Sequence, residues 1–508
     1  MPATVFLVGA GPGSPSLITL RAVECLGQAD VILYDYLANP AVLEHASPSA
    51  ELVCLGRHLG GRNLSPDEIT ARMLLEAQNG RAVVRLKGGD PSVFGRGADE
   101  IEALRDAGIP FEIVPGITTG LAVAAFCEIP ITHHDDASAV ALITGRERGD
   151  KLKAESRKPK AGLDYGALAA FPGTLVFYMG VTRAEQWSQA LVEHGKPPET
   201  PVAIVRRCSW PQQQTVRCTL ATVAQVVREH SLRPPAVFVV GKVVGYAPER
   251  SWFAARPLFG VRVLAAGSPA TSKKLRSGLA ALGADVITQP AIRIVDPPDW
   301  APVDAALDKL DQYDWLVFSS ANGVDYLLRR LFDRGGDARR LGGVKLAVIG
   351  SGTAERLTRY NLRADLMPEP FRAESLAKAL AIDAKGQRFL LARASRGRQV
   401  LADELKVAGA LVDEIVVYGS VDVEEPDPDV AQALSSGEIH WVTVMSSAAA
   451  QSLVRLYGNP LRRARLVSIS PLTSTALRDL GYEPAAEAAP HTAAGLVDAI
   501  LHAAQTDG

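Results

Sequence analysis

Residues 83–97 read VVRLKGGDPSVFGRG. A β-branched run carrying Arg85 and Lys87 breaks into Gly88-Gly89-Asp90-Pro91, and a glycine-flanked Arg96 follows. An apolar run ended by such a cluster is a strand leading into a loop. Glycine loops of this kind cradle phosphates through convergent backbone N–H groups, and an aspartate at the centre opposes a polyphosphate. The loop therefore points to a ligand that offers hydroxyl or ammonium groups.

Three further glycine turns share this half of the chain: GAGPG (9–13), PGITTG (115–120) and YMG (178–180). The dinucleotide fingerprint G-x-G-x-x-G would need glycine at Ser14, and Pro12 would disturb its turn. Asp35 does stand where a ribose-binding acid belongs. No GK[ST] follows, so a Walker loop is excluded. A plain strand-to-helix turn is the competing structural reading. Glycine lets backbone approach a flat ligand closely, so several such loops fit a nucleoside cofactor held by N–H and C=O groups, with Asp90 receiving an ammonium or ribose hydroxyl.

Short β-branched runs alternate with amphipathic segments along the whole chain, which is α/β patterning. In the first half, strands are expected at Val5–Val8, Val31–Tyr34, Val83–Leu86, Ala139–Ile143, Thr174–Tyr178, Val202–Val205 and Val237–Val240, with helical periodicity across Asp67–Glu76 and Asp99–Asp106. The polar, basic stretch Arg146–Gly166 reads as a loop; its basic run is short and lacks the aromatics of a nucleic-acid tail. The main boundary falls in YAPERSWFAARPLFGVRVL (246–264), and the next strand starts at Val261.

Beyond it the sequence repeats itself. DWLVFSSANGVDYLL (314–328) matches HWVTVMSSAAAQSLV (440–454), and KLAVIGSGTAERL (345–357) matches RLVSISPLTSTAL (465–477). Each copy closes alike, with RAESLAKAL (372–380) and HTAAGLVDAI (491–500). Two copies in this order imply two similar lobes facing a cleft, with IRIV (292–295) and EIVVYGSV (414–421) as paired crossing segments.

At 508 residues the chain is too long for one core. Hydrophobic content of 47% and charged content of 22% are those of a globular protein. A net charge of −2 provides no global field for nucleic acid or an anionic membrane, so an anionic ligand must be met by local Arg and Lys. The five scattered cysteines form no C-x-x-C pair and fit a reducing compartment. The opening MPATVFLVGAGPG has no basic leader, and no run reaches the roughly 18 apolar residues of a membrane span. The expectation is a cytoplasmic protein without nucleic-acid or membrane partners.

GAGPGSPSLITL, ADVILYD, VVRLKGGDPSVFGRG, IPFEIVPGIT, IPITH, TLVFYMG and PVAIV follow one another in the order seen in uroporphyrinogen-III C-methyltransferases, across residues 4–247. The resemblance implies S-adenosyl-L-methionine as cofactor, methylation of uroporphyrinogen III at C2 and C7 to precorrin-2, and a homodimer formed through this domain. By the same resemblance Pro12, Gly88, Gly89, Asp90, Val93, Thr118, Thr119, Met179 and Cys208 match cofactor contacts, and Asp35 matches the proton acceptor. A carboxylate at a cleft mouth suits removal of a proton from the macrocycle.

Two positions depart from that pattern. The family's GKR, whose lysine is the assigned proton donor, is here Gly56-Arg57-His58. Arginine stays protonated, so either Arg57 acts electrostatically or His58 takes the role. IPLTHR becomes IPITHHDD (129–136); His133, His134, Asp135 and Asp136 imitate a metal cluster but read as a solvated rim, and no metal is expected. Uroporphyrinogen is a polycarboxylate, so Arg57, Arg62, Arg85, Lys87 and Arg96 are candidates to bind it.

Residues 258–503 resemble uroporphyrinogen-III synthase through DWLVFSSANGV, LAVIGSGTAERL, FLLARASRGRQVLADEL, DEIVVYGSV and SPLTSTAL. That family cyclises hydroxymethylbilane with inversion of ring D, a reaction that needs a folded substrate more than a nucleophile. The resemblance puts Ser319, Ser320, Asn322, Ser351, Thr353, Ser446, Ser447, Ser470 and Thr473 at the substrate and Tyr418 at the departing hydroxyl. Helix capping alone is the competing reading for the serine pairs. The arginine that commonly ends this family's first strand is missing from VLAAGSPATSKKL (263–275), leaving Arg393, Arg396 and Arg398 to supply charge.

The expected architecture is α/β. A two-lobed tetrapyrrole-methylase domain (1–250, lobes about 1–135 and 136–250) is followed by a linker (251–257). Next comes a duplicated, flavodoxin-like synthase domain (258–508), with lobes about 258–294 plus 422–508, and 298–419. The expected function is bifunctional. The alternatives are a methyltransferase carrying a non-catalytic tetrapyrrole-binding module, and a methylase of RNA or protein on the same fold.

Overall fold

The computed structural model describes residues 3–56, 64–146, 162–267, 269–290, 292–396 and 399–506. Arg57, His58, Arg62, Arg398 and most of the Arg146–Gly166 stretch lie outside them. The chain divides into two compact units, Met1–Val261 with Leu279–Asp285, and Arg262–Gly278 with Val286–Gly508.

The first unit holds two five-stranded sheets. β1 (Val5–Gly9), β2 (Val31–Tyr34), β3 (Glu51–Cys54), β4 (Val83–Lys87) and β5 (Phe111–Val114) form a parallel sheet in the order β3-β2-β4-β1-β5. β6 (Val140–Thr144), β7 (Thr174–Tyr178), β8 (Pro201–Arg206), β9 (Gln214–Thr219) and β10 (Ala236–Val240) form a mixed sheet, β6-β7-β10-β8-β9. Each expected strand is present to within a residue or two. β3, β5 and β9 carry no comparable sequence signal. β3 and β9 are largely exposed edge strands, and β5 has only four residues before its loop.

The helix expected from Asp67 begins at Pro66, because Ser65 forms a reciprocal capping box with Glu68: the Glu68 amide donates to Ser65 Oγ at 3.2 Å and the Ser65 amide to Glu68 Oε2 at 2.7 Å. The segment expected as a linker, 251–257, is instead folded into the first unit. Phe253 is buried against Phe126, ring centres 4.7 Å apart, and the adjacent Leu258 amide donates to the Leu282 carbonyl at 2.8 Å. Apolar residues in a proline-interrupted stretch are drawn into the core, so the boundary falls later.

The second unit also has two sheets. β11 (Arg262–Ala266) and β12 (Asp285–Thr288) join the later strands β18 (Trp441–Val444), β19 (Arg465–Ser468) and β20 (Ala486–Glu487) in the order β12-β11-β18-β19-β20. β13 (Ile292–Val295), β14 (Trp315–Phe318), β15 (Lys345–Val348), β16 (Arg388–Ala394) and β17 (Leu411–Asp422) give β13-β17-β16-β14-β15. The sequence repeat maps onto β14–β15 and β18–β19, parallel neighbours in their own sheets. The expected crossing segments do pair: Ile292–Val295 runs antiparallel to the end of β17, which takes 292–294 out of the lobe expected to start at 258 and into the other sheet. Backbone pairing with the long β17 overrides sequence proximity to β12.

Candidate functional site

In the parallel sheet of the first unit, β1 lies between β4 and β5, so the strand order reverses beside β1; ligands of open α/β sheets bind outside the carboxyl ends of strands at such points. The sequence puts glycine there for a physical reason. The Gly89 amide donates to the Gly11 carbonyl at 2.7 Å and the Gly11 amide to the Gly89 carbonyl at 3.1 Å, closing the GAGPG and GGDP loops on each other. A Cβ on Gly9 would stand 2.6 Å from the Gly116 amide nitrogen and 2.7 Å from the Gly89 carbonyl oxygen. Three loops therefore meet backbone to backbone at Gly9, Gly89 and Gly116.

Asp90 Oδ1 accepts the Ser92 amide at 2.7 Å and its Oδ2 the Gly116 amide at 3.1 Å. The half-buried carboxylate thus ties the GGDP turn to the PGITTG loop, and each oxygen keeps a further acceptor site. Val93 is half-buried in the same turn, its amide donating to the Asp90 carbonyl.

The second sheet reaches this junction through Tyr178, the last residue of β7. Its half-buried side chain accepts the Gly120 amide on the hydroxyl at 2.7 Å, and that hydroxyl lies 2.9 Å from Thr118 Oγ1. Burial pushes its pKa up, so the phenol stays neutral. Thr118 precedes the helix Thr119–Cys127 without capping it by its own side chain, because its hydroxyl is turned to Tyr178. Phe94 packs on Tyr178 with ring centres 5.0 Å apart. Met179, 43% exposed, follows in the left-handed region at φ 55°, and Phe94 has φ 54°. Non-glycine residues held there mark a constrained loop.

Pro12 is buried, and Gly13 is covered by the Trp210 ring. The Ser14 amide donates to Ser209 Oγ at 2.9 Å, joining the two sheets' loops. Cys208 lies between Arg207 and Ser209, both at positive φ, and its side chain enters the core beside Cys127. The Cys127 sulfur and then burial push its thiol pKa up. The thiol is thus not offered to a ligand.

Asp35 follows β2, its side chain 29% exposed. Arg85 Nη2 donates to its Oδ1 at 2.6 Å. Arg85 and Lys87 do not have the expected role. Both are buried, Arg85 Nε bonding Glu100 Oε1 at 3.0 Å and Lys87 Nζ bonding Glu100 Oε1 and Oε2 at 2.8 and 2.7 Å. Their charges are consumed inside the unit and are not offered to a polycarboxylate. Their i, i+2 spacing puts both on one face of β4; that this face is internal needed the position of the helix Gly97–Asp106. Arg96 is exposed at φ 57°. His133, His134 and Asp135 bring ligand atoms within 4.8 Å of one another, and His134 and Asp135 are exposed. Neighbouring Asp136 is engaged by the Tyr246 hydroxyl at 2.7 Å.

In the second unit, Ser319, Ser320 and Asn322 follow β14, and Ser351 and Thr353 follow β15. Ser446 and Ser447, then Ser470 and Thr473, repeat this after β18 and β19. Ser320 Oγ accepts the Gly323 amide and Ser446 Oγ the Ala449 amide, each at 3.1 Å, so both cap helices. Ser447 Oγ donates to the Leu472 carbonyl at 3.4 Å. Ser319 and Ser351 are exposed and Asn322 is half-buried. Thr353 and Thr473 are buried, Thr473 Oγ1 lying 3.2 Å from Ser470 Oγ. Tyr418 is 6% exposed, with its hydroxyl 3.0 Å from Ser320 Oγ. Arg393 pairs with Glu414 at 2.8 Å, so it too is neutralised rather than free for substrate.

One cluster lay beyond sequence reasoning. Asp422, ending β17, accepts Arg396 Nη1 at 2.9 Å, Arg455 Nη1 at 2.9 Å and Ser452 Oγ at 3.2 Å. Hydrogen bonds from Arg396 and then Arg455 hold its pKa down at about 2. Arg455 and Ser452 sit on a helix after β18, far along the chain from Arg396, and no local pattern links them.

The tetrapyrrole (corrin/porphyrin) methylase family matches residues 4–224, and the uroporphyrinogen-III synthase HemD family matches residues 273–498. The chain is 32% identical over 477 residues to the porphyrin biosynthesis protein HemD of Ruminiclostridium josui, covering 93% of each. It is 44% identical over 240 residues to the S-adenosyl-L-methionine-dependent uroporphyrinogen III methyltransferase of Methanosarcina barkeri, spanning 47% of this chain and 91% of that one. It is 37% identical to the solved uroporphyrin-III C-methyltransferase of Thermus thermophilus complexed with S-adenyl homocysteine, with TM-score 0.41 and coverage of 48% of this chain and 99% of that one.

The two family matches make the chain a two-module tetrapyrrole enzyme, with a methylase unit preceding a duplicated α/β unit. The chain belongs to the tetrapyrrole methylase and uroporphyrinogen-III synthase families, fused in that order.

Proposed function

We propose that the chain cyclises hydroxymethylbilane to uroporphyrinogen III in its second unit and methylates that product at C2 and C7 in its first, giving precorrin-2. The observation that carries the methylation reading is Asp35. It lies at the carboxyl edge of the parallel sheet, one oxygen held by Arg85 at 2.6 Å, in the sheet whose β1, β4 and β5 end in the glycine loops.

The residues fit S-adenosyl-L-methionine. Half-buried Gly88, Gly89 and Gly116 leave backbone uncovered, while Phe94, Ile117 and Met179 present exposed apolar surface for a purine or thioether. Pro12, Gly88, Gly89, Val93, Thr118, Thr119, Met179 and the Cys208 backbone would hold the cofactor. When bound, it supplies an electrophilic methyl group. Asp35 takes the proton that the methylated macrocycle must release. Arg96, exposed beside this loop, meets a substrate carboxylate. In the second unit, Ser319, Asn322, Ser351, Ser446 and Ser447 orient the substrate's carboxylates, and the Tyr418 hydroxyl, held by Ser320, assists departure of the substrate hydroxyl.

The five cysteines are free, which supports a cytoplasmic placement. Among the described residues no helix is long and apolar enough to cross a membrane. Pairing of two copies through the first unit completes this reading.

The test supplies purified protein with hydroxymethylbilane and S-adenosyl-L-methionine and follows products by absorbance and mass. Precorrin-2 is expected. Turnover only when uroporphyrinogen III is supplied ready-made would reduce the second unit to a binding module, and no turnover of either would overturn the proposal.

A further inference from the structure

Asp35, Arg85, Glu100 and Lys87 form one chain of four charges, two of each sign, and only Asp35 has a substantially exposed side chain. Arg85 is fixed at all three nitrogens: Nε on Glu100 Oε1, Nη2 on Asp35 Oδ1, and Nη1 on the Leu33 and Leu86 carbonyls at 3.4 and 3.2 Å. Glu100 sits on the helix Gly97–Asp106, the element that leaves the FGRG loop, so it links that loop's helix to β4. Desolvating several charges is expensive, and apolar residues would pack a helix on a sheet at lower cost. The arrangement has a direction: it ends on one oxygen of Asp35. Among the described residues the other oxygen, Oδ2, has no protein partner.

We propose that Glu100 is a positioning residue for methylation: through Arg85 it fixes the Asp35 carboxylate so that Oδ2 stays available to the substrate, with Lys87 as the counter-charge. The inference rests on Asp35 being the proton acceptor. A carboxylate free to rotate would lose alignment with the departing proton, and misalignment lowers turnover more than binding. Without Glu100, two buried cations would face each other beside Asp35. Burial and the nearby Arg85 charge already push the Lys87 pKa down, consistent with a site that tolerates no further positive charge.

The test uses the full chain with Glu100→Gln and with the double variant Lys87→Met plus Glu100→Gln, which removes one charge of each sign and restores balance. For the double variant, kcat for methylation should fall about tenfold while KM for S-adenosyl-L-methionine stays within about twofold. Its melting temperature should exceed that of Glu100→Gln. A purely structural role would return kcat together with stability, so a folded double variant with wild-type kcat overturns the inference. A rise in KM for the cofactor with unchanged kcat overturns it as well. Asp35→Asn separates the two levels. If it methylates normally, the proton-acceptor reading falls and takes this inference with it; if it is inactive while the double variant keeps kcat, only the role of Glu100 falls.

Discussion

The Tyr178 hydroxyl, on the last residue of β7, accepts the Gly120 amide at 2.7 Å at the start of a helix whose preceding loop continues from β5. One phenol thus fastens the mixed sheet to a loop of the parallel sheet. Tyr178→Phe leaves that amide and the Thr118 hydroxyl without their partner in a buried setting, and a lost buried bond of this kind costs about 1–3 kcal/mol. Denaturant unfolding should show that loss, and calorimetry should show weaker S-adenosylhomocysteine binding, because Thr118 and Met179 flank the same point. Unchanged stability and unchanged affinity together would mean that this bond does not operate in solution.

Gly116→Ala drives a methyl group into the Gly89 carbonyl oxygen, which is backbone and cannot rotate away. The three-loop junction must then open. We expect loss of measurable cofactor binding, with stability lowered by about 1–3 kcal/mol from overpacking. Gly343→Ala is the matched control: nothing lies within 4 Å of a Cβ there and the residue is exposed, so stability and binding should match wild type. Equal binding by both variants would remove the junction from the cofactor site.

Asp422 makes the second unit sensitive to acid. Its folded pKa of about 2 is depressed from 3.8, so its contribution to stability is present above the unfolded value and is lost as pH falls toward about 2. Its arginine partners are about half exposed, and solvent screening reduces the contribution to about 1 kcal/mol. Asp422→Asn should therefore lower stability by about that amount at pH 7, and the difference from wild type should shrink as pH drops below 4. A difference independent of pH would assign the effect to packing rather than charge.

The sequence announces what is local and repeated. The β1, β4 and β7 strands, the glycine turns after them, the duplicated β14–β15 and β18–β19 pairs and the order of the two modules are all readable, because alternation, turn residues and repeats act over short spans. Side-chain commitments are not. Arg85 and Lys87 look like ligands for an anion until Glu100, brought over by a helix, is placed beneath them. The bond from the Gly116 amide to Asp90, which joins two loops, has no local signal either. Thr353 lies two residues from exposed Ser351, and only the helix rotation after β15 decides that it faces inward. The cluster at Asp422 joins residues 396, 452 and 455, a pairing that no periodicity encodes.

Tyr418 and Ser320 supply the sharpest test of the second unit. The phenol is nearly enclosed, 3.0 Å from Ser320 Oγ, and Ser320 also caps the helix Ala321–Asp333. If Tyr418 assists departure of the substrate hydroxyl, Tyr418→Phe should lower kcat for cyclisation about tenfold with little change in KM, and methylation of supplied uroporphyrinogen III should be untouched. Ser320→Ala should cost about 1 kcal/mol of stability through the lost cap. It should also slow cyclisation, because the phenol loses the group that orients it. The double variant should be no slower than Tyr418→Phe alone, since both changes act through one hydroxyl. Additive rate losses would show that Ser320 meets the substrate on its own account, and an unaltered rate in Tyr418→Phe would leave ring closure to the positioning of the bilane alone.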